Sequence, residues 1–479
     1  MNNNILQACA LSAIAVAGAL PATGAQKTSK QEQRQGKRPN VLFIMADQWR
    51  AQATGYNGDP NARTPNLDAF ARESIDFSCA VTSQPLSSPY RASLITGQFT
   101  TTNGMMQNDE DLKPNAPTAG ELFTGGGYTT GYIGKWHLFG GGRQNFIPAE
   151  KRFGFERWRV MNCTHDYNKS FYWGEKPVKM QWDGYDAFAQ TAEMMSFLEQ
   201  AAGDDRPFCM FLSWGPPHAP YNTAPAEYQA MYSDPSKIVL RPNVPAEKAN
   251  SYRKQLAGYY AHIAALDKAF GDLVAKLRNL GILDNTIVVF TADHGDMLGS
   301  HDFSAKSRPY DESIRIPLLM RYPPFGAGRK ISEPLTTPDI LPTLLSMCNI
   351  AVPQQIQGRS FLPILADRAK SLGDCALVQW PLCTDKLDLK EYRCLRTRQY
   401  TYVETLKGPW LLFDDTADPY QDNNLAENPK YASLRKELAT KMHAEMERVG
   451  DKFLTDAQYR TQFGLAPQKK PKSGGEGSE

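Results

Sequence analysis

The chain has 479 residues, of which 41% are hydrophobic and 22% charged. That is enough apolar material for one large domain and a smaller one, and it excludes the disordered and low-complexity classes. Lysine and arginine number 53 against 51 acidic residues, a net charge of +2, so neither a nucleic-acid nor a membrane-surface partner is predicted and any attraction for an anion must be local.

Met1 to Ala25 carry an apolar run from Ile5 to Leu20 and end in Ala-Thr-Gly-Ala. Small residues after such a run read as a signal peptide, so the mature chain is expected to be exported, periplasmic or secreted. The run is too short for a membrane span. Residues 26–38 form a polar, basic linker. The 8 cysteines include no C-x-x-C pair, which argues against a zinc ribbon or a thioredoxin-like centre. Cys375, Cys383 and Cys394 are close enough in sequence for one bridge, with free buried thiols the equal alternative. Once Cys9 leaves with the leader an odd number remains, so at least one thiol stays unpaired within the chain.

Asn40 to Ala46 is a continuous apolar run, the pattern of a strand buried on both faces, and it stops at Asp47-Gln48. Thr64-Pro65 reads as the N-cap and first residue of a helix to Glu73. In Pro85 to Gly97, Ser88-Pro89 opens a second helix that leaves Ser87 at its positive end, places Arg91 one turn in and stops at Gly97. Read alone, Ser87-x-Pro89-x-Arg91 describes a surface turn as well as an anion site. A helix from Thr118 to Thr124 and a glycine run precede the strand Tyr128–Ile133, which is followed by Gly134-Lys135-Trp136-His137.

A helix from Asp186 to Ala202 precedes the strand Phe208–Trp214 and Gly215-Pro216-Pro217-His218. A long helix from Ala246 to Leu280 leads to the strand Asn285–Ala292 and Asp293-His294-Gly295-Asp296. Apolar runs of strand length, each followed at once by charged or imidazole side chains, argue for an α/β sheet with its chemistry collected along one edge. Lys306 to Ser313 leads into Ile316–Met320, and a further helix spans Thr337–Met347. Near Leu362–Leu372 the pattern changes to short antiparallel strands, at Ala376–Trp380, Tyr392–Arg398, Tyr400–Glu404 and Trp410–Phe413, then a helix from Pro429 to about Val449. This divides a large domain, residues 39–365, from a smaller C-terminal α+β subdomain, residues 366–460. Residues 461–479, rich in Lys, Gly, Ser and Glu, are expected to be a disordered tail.

Asp47, Gln48, Asp293 and His294 follow two different strands. If those strands are neighbours, two carboxylates, an amide oxygen and an imidazole converge into a shell suited to a divalent cation; if not, Asp293-His294-Gly295 is only a polar turn. Lys135 and Lys306 are by themselves ordinary surface charges, and His218 an ordinary surface histidine held between prolines. His262 and His443 lie in helical patterns and read as structural or exposed.

Pro85 to Gly97 resembles the signature of the formylglycine-dependent sulfatases, a family of the alkaline phosphatase superfamily. There a cysteine or serine, oxidised to formylglycine, precedes x-Pro-x-Arg and a Leu-Thr-Gly-like end. The resemblance extends over Pro39 to about Gly450, with Gly134-Lys135-Trp136-His137, Asp293-His294 and Leu411-Leu412-Phe413-Asp414 among the matching stretches. It implies a large mixed, mostly parallel sheet sandwiched by helices, with residues 39–365 as the catalytic domain. Serine at position 87 is the form seen in bacterial members matured by an anaerobic radical enzyme, although replacement of a natural cysteine would read identically. Tyr90, where the family has a small residue, and Gln48 and His294, where it often has acidic and amide side chains, are departures. The last two remove negative charge and add one nitrogen donor.

The resemblance further implies one calcium ion on Asp47, Gln48, Asp293 and His294, with the formylglycine formed from Ser87 completing the shell. Formylglycine hydrate attacks sulfur, held by the metal, Arg91 and Lys135. Lys306 grips the sulfate and His218 protonates the departing alcohol. His137 then helps remove the second hydroxyl's proton, so that sulfate leaves and the aldehyde returns. The expected substrate is a sulfated carbohydrate, and the expected partner a formylglycine-generating maturation enzyme. His165, Asp166 and Tyr167, with Trp173 nearby, and Arg308 are candidates to touch the sugar. Alternatives are a phosphatase or phosphonate monoester hydrolase of the same superfamily, which a single-metal site and the intact signature disfavour, and a glycan-binding protein whose Ser87 is never oxidised. Oligomeric state, the sugar and the sulfated carbon are not legible.

Overall fold

Strand β1 (Asn40–Asp47) is buried along its whole length, as a continuous apolar run requires when both faces are covered. In the computed structural model, which describes residues 38–384 and 387–466, β1 lies between two parallel strands. Val41 sits opposite Cys209 on one side and Ile287 on the other. The expected signal peptide, the linker up to residue 37 and the tail beyond 466 lie outside the described residues.

In chain order the further strands are β2 (Ile75–Phe77), β3 (Ala80–Val81), β4 (Thr129–Lys135), β5 (Arg157–Met161), β6 (Phe171–Trp173) and β7 (Lys179–Gln181). They are followed by β8 (Phe208–Pro217), β9 (Thr286–Ala292), β10 (Leu318–Arg321), β11 (Arg329–Ile331) and β12 (Leu335–Thr336). The main sheet has 10 strands in the order β11-β2-β10-β9-β1-β8-β4-β5-β6-β7. Its centre is parallel and its flanks carry antiparallel pairs. The α/β reading with a large mixed, mostly parallel sheet is borne out.

Helix Ala249–Asn279 buries a stripe including Ile263, Leu266, Phe270, Leu273 and Leu277, the spacing of one helical face. It packs on helices Asp186–Ala202 and Pro65–Arg72. An aromatic group of Tyr132, Trp136, Phe155 and Trp158 fills the space beyond β4, with ring centroids 4.9 to 6.0 Å apart.

A separate four-stranded antiparallel sheet follows, formed by β13 (Ala376–Trp380), β14 (Tyr392–Arg396), β15 (Tyr400–Thr405) and β16 (Gly408–Asp414) in sequence order. Helix Ala432–Arg448 covers it through Leu438, Met442 and Met446. Arg393 of β14 ties this sheet to the chain beyond that helix, through a fully buried pair with Asp451.

Several boundaries move. Lys135 is the last residue of β4 rather than lying past it, and β8 runs on to Pro217. The helix expected from Ala246 starts at Ala249 after a 3-10 turn, and the one expected from Thr337 starts at Ile340 after another. Helix Asp456–Phe463 crosses the boundary expected at residue 460. Every cysteine among the described residues is free, which removes the bridge considered for Cys375, Cys383 and Cys394. Cys383 instead directs its thiol at Glu391, 3.0 Å away.

Asp186, the first residue of its helix, accepts a hydrogen bond from Ser170 at 2.9 Å through Oδ2, while its buried Oδ1 has no protein partner. Burial pushes this carboxyl up to about 8. A folded state that holds this proton more tightly than the unfolded chain is stabilised below the unfolded pKa and loses that contribution as pH rises toward 8. Asp186→Asn is therefore expected to flatten the fall in melting temperature between about pH 5 and pH 8. Equal slopes for the variant and the parent in thermal melts would contradict this.

Candidate active site

The C-terminal ends of β1, β9, β8 and β4 lie side by side, and each delivers part of one buried cluster. At the end of β1, Gln48 turns the chain with φ 65°, and its backbone N–H donates to Asp293 Oδ1 at 2.9 Å. The N–H of His294 donates to the same oxygen, also at 2.9 Å. With Oδ1 so held, Asp293 Oδ2 accepts from Arg91 Nη2 at 3.3 Å.

Asp47 receives Lys135 Nζ in a very short ion pair and Arg91 Nη2 at 3.5 Å. Burial alone would raise its pKa, but Lys135, His218 and Arg91 outweigh that and hold it well below the ordinary carboxylate range.

Ser87 is itself the first residue of helix Ser87–Thr96, so the helix opens one residue before the expected Ser88-Pro89 start, and it ends where Gly97 adopts φ 63°, as expected of a glycine stop. Its Oγ lies 3.4 and 3.3 Å from the two oxygens of Asp47 and 3.2 Å from His294 Nε2. Arg91 reaches past Ser87 rather than to it, donating to the Lys135 carbonyl at 2.7 Å and to Ser213 Oγ at 2.6 Å. That approach of β4 to β8 depends on Gly134. Its φ is 99°, and a Cβ there would stand 2.1 Å from the Ser213 carbonyl oxygen.

Asp47, Asp293 and His294 bring their ligand atoms within 4.8 Å of one another, all buried. His294 Nδ1 donates to the Gly295 carbonyl at 3.0 Å, which leaves Nε2 unprotonated and turned into the cluster. Two carboxylates and one neutral imidazole nitrogen suit a divalent cation. Gln48 does not yet belong to this set, because its Oε1 accepts from Lys306 at 2.7 Å and its Nε2 donates to Asp296 at 2.6 Å. For that oxygen to ligate a cation, Lys306 would have to give it up.

In front of the cluster stand Lys306 and His218, both only half-buried. Lys306 Nζ donates to His218 Nε2 at 3.0 Å, and His218 Nδ1 donates to the Ala219 carbonyl at 2.8 Å. Burial first and then Lys306 hold His218 well below the usual imidazole range. His165 stacks on it, with ring centroids 4.5 Å apart and planes 6° apart. His137, at φ 58° just past β4, directs Nε2 at Asp109 Oδ1, 3.2 Å away. Its buried Nδ1 has no partner. Burial and then Lys135 push it down to about 3, so it is a neutral base at neutral pH.

The sequence profile of the family described as Sulfatase matches residues 39–350 of this chain. The chain belongs to the sulfatase family. A second profile, N-sulphoglucosamine sulphohydrolase, C-terminal, matches residues 299–448. The chain is 40% identical to the ulvan-active sulfatase of Formosa agariphila, over 90% of this chain and 86% of that protein. It is 30% identical to the endo-4-O-sulfatase of Bacteroides thetaiotaomicron, over 88% and 93% respectively. A solved structure with bound D-glucosamine-2-N,6-O-disulfate superposes with a TM-score of 0.75 at 26% identity, covering 87% of this chain and 99% of the other. The resemblance first read at Pro85–Gly97 is thus borne out. The sulfatase is an enzyme of sulfate-ester hydrolysis.

The fold of this sulfatase gathers Ser87, Arg91, Lys135, Asp47, Asp293, His294, Lys306 and His218 into one network, with His137 joined to it through its carbonyl, which accepts from Ser88 Oγ at 2.6 Å. Of the residues considered for sugar contact, His165 packs against that network and Tyr167 hydrogen-bonds the turn beside it. Asp166 is exposed and closes a turn by accepting from the N–H groups of Asn168 and Lys169 at 3.3 and 3.1 Å. Arg308 stacks on Phe303 at 4.1 Å and donates to the Leu387 carbonyl. Trp173 donates to the Gln144 carbonyl at 3.0 Å. The buried Tyr167 hydroxyl donates to the Gly215 and Ala219 carbonyls, both at 3.3 Å, and so braces the turn that carries His218.

Sequence reasoning gave no role to Asp296, Asp109 or Ser213. Asp296 accepts from Gln48 and, at 2.6 Å, from Tyr221. Its place three residues after Asp293 was a usable signal. Asp109 sits in a polar loop with no strand before it, so only the fold brings it to His137.

Proposed function

We propose that this sulfatase removes sulfate from a sulfated carbohydrate, with Ser87 oxidised to formylglycine and calcium held by Asp47, Asp293 and His294, joined by Gln48. The observation that carries the reading is the position of the Ser87 side chain. It lies within 3.4 Å of Asp47 and 3.2 Å of His294, with two cations behind it and Lys306 and His218 in front.

Formed from Ser87 and hydrated, formylglycine would supply a nucleophilic hydroxyl and a second hydroxyl for the release of sulfate. Calcium held by Asp47, Asp293, His294 and Gln48 would supply positive charge to favour the nucleophile's ionised form. Arg91 and Lys135 balance the two carboxylates and fix their orientation, so the site is organised before substrate arrives. Lys306 offers its ammonium to the sulfate oxygens and, in turning to them, releases His218 Nε2. The arriving anion favours the protonated imidazole, and Nε2–H then donates to the leaving oxygen while Nδ1 stays anchored on Ala219. His137, with Nε2 held by Asp109, accepts the proton of the second hydroxyl at Nδ1.

The sugar class is supported by the relative whose bound substrate is a disulfated glucosamine and by His165, whose ring widens the His218 surface at the half-buried mouth. The reading includes export by way of residues 1–25 and oxidation of Ser87 by a maturation enzyme. No helix of the described residues is long and apolar enough to cross a membrane.

Two measurements test it. The peptide carrying Ser87 should be lighter by roughly 2 Da than the unmodified sequence, the loss of two hydrogens on oxidation. The enzyme should also desulfate at least one member of a panel of singly sulfated galactose, N-acetylgalactosamine and N-acetylglucosamine. An unmodified serine in active enzyme would remove formylglycine from the reading, and a silent panel would remove these sugars.

A further inference from the structure

A second cleft, of about 600 Å³, lies along the same sheet edge but away from Ser87. Its floor comes from Arg50 and Gln52, which follow β1, and from Ser78, which follows β2, with Lys330 of β11 beside them; Arg396 of β14 and Asp415 close it from the four-stranded sheet. In the order β1-β9-β10-β2 it reaches from the residues after β1 to those after β2, three strands away from the strand that carries Asp47. None of the residues assigned above to the reaction lines it.

The charge on its walls is uneven. Arg315 and Arg396 are matched by Asp311, at 2.6 and 2.7 Å, and Arg396 also by Asp415 at 3.0 Å. Arg50 makes no ion pair among the described residues. It is 2% exposed and its buried Nε and Nη1 have no acceptor, while Tyr260, Tyr259 and Asp59 favour its charge without accepting from those two donors. Asp59, another wall residue, gives its carboxylate to Tyr260 at 2.5 Å instead. Lys330 at the rim is 67% exposed and only 3.9 Å from Asp76. A buried guanidinium with unused donors is costly unless an acceptor reaches it, and its planar fork suits sulfate or carboxylate. A bare anion would not fill the space. The volume is that of a small-ligand pocket, and the amides of Gln52 and Asn57 on its walls suit sugar hydroxyls.

We propose that this cleft is an accessory, non-catalytic site that binds an anionic sugar unit of a sulfated saccharide chain, with Arg50 as its buried anchor and Lys330 at its rim. The choice of a saccharide rests on the carbohydrate reading above; the anion requirement rests on Arg50 itself.

The test is calorimetric titration of the full-length enzyme with a sulfated galactose-type hexasaccharide, for the parent, Arg50→Gln and Lys330→Glu. Turnover of a singly sulfated monosaccharide is measured alongside. Hexasaccharide affinity should fall at least about five-fold in each variant, with monosaccharide turnover within two-fold of the parent. Unchanged affinity in both variants overturns the proposal, as does a parallel loss of binding and turnover, which would make Arg50 a structural residue. Lys330→Glu, at an exposed position, keeps the test decisive if Arg50→Gln misfolds. Should the parent turn over no sugar, the carbohydrate reading fails while the binding comparison still reports on the cleft. A fall in affinity for free sulfate alone, with the hexasaccharide unaffected, would also overturn it.

Discussion

Asp47→Ala and Asp293→Ala are each expected to lower turnover by about 10³-fold or more, and chelation of the parent enzyme to do the same, with calcium restoring activity best. Each carboxylate does two things. It offers oxygen to the cluster shared with His294, and it neutralises buried cations, Lys135 and Arg91 for Asp47 and Arg91 for Asp293. Removing one leaves a buried positive charge uncompensated, which destabilises the site and repels the metal together. Chelation separates the two effects, because it takes the cation and leaves the carboxylates in place. Full activity in enzyme shown by elemental analysis to be metal-free would take the metal out of the mechanism.

His218→Ala and His137→Ala should fail in different ways. His218 stands beside Lys306 at the mouth, so its loss should cost about 10²- to 10⁴-fold on a sugar sulfate, whose alkoxide needs a proton, and far less on an activated aryl sulfate, whose phenolate leaves without one. His137 is buried and reaches no leaving group, so its loss should hurt both substrates alike. Its signature is a burst of phenol followed by stalled, sulfated enzyme. Rapid-quench kinetics with intact-mass analysis reads both. Equal damage by His218→Ala on the two substrates, or no trapped intermediate in folded His137→Ala, would require the roles to be exchanged or abandoned.

Much of the frame was legible because it is local. Runs such as Asn40–Ala46 and Asn285–Ala292 are mostly apolar, of strand length and rich in β-branched and aromatic residues, the pattern of a strand covered on both faces. Pro89 in the first turn and Gly97 at the end bracket a short helix to within two residues by backbone chemistry alone. By contrast β2, β6, β7 and β11 have three residues each, too few to show a period, and they are strands because a neighbour pairs with them. Arg308 looked like a substrate contact from its place two residues after Lys306, but the chain turns between them, with Ser307 at φ 86°, and sends it to Phe303.

The sequence by itself determined which chemical groups stand at strand ends and that Ser87 lies at the start of a short helix, since burial patterns and helix caps depend on residues a few positions apart. Only the tertiary structure decided which of those groups meet. The strand order β4-β8-β1-β9 is set by pairings across large sequence separations, and it brings Lys135, Asp47 and Asp293 to one point beside Ser87. The same long-range pairing delivered Asp109 to His137, turned Gln48 between Lys306 and Asp296, and left Arg50 buried without an ion-pair partner. No local periodicity encodes such meetings, because each is fixed by how distant elements pack rather than by what either segment prefers alone.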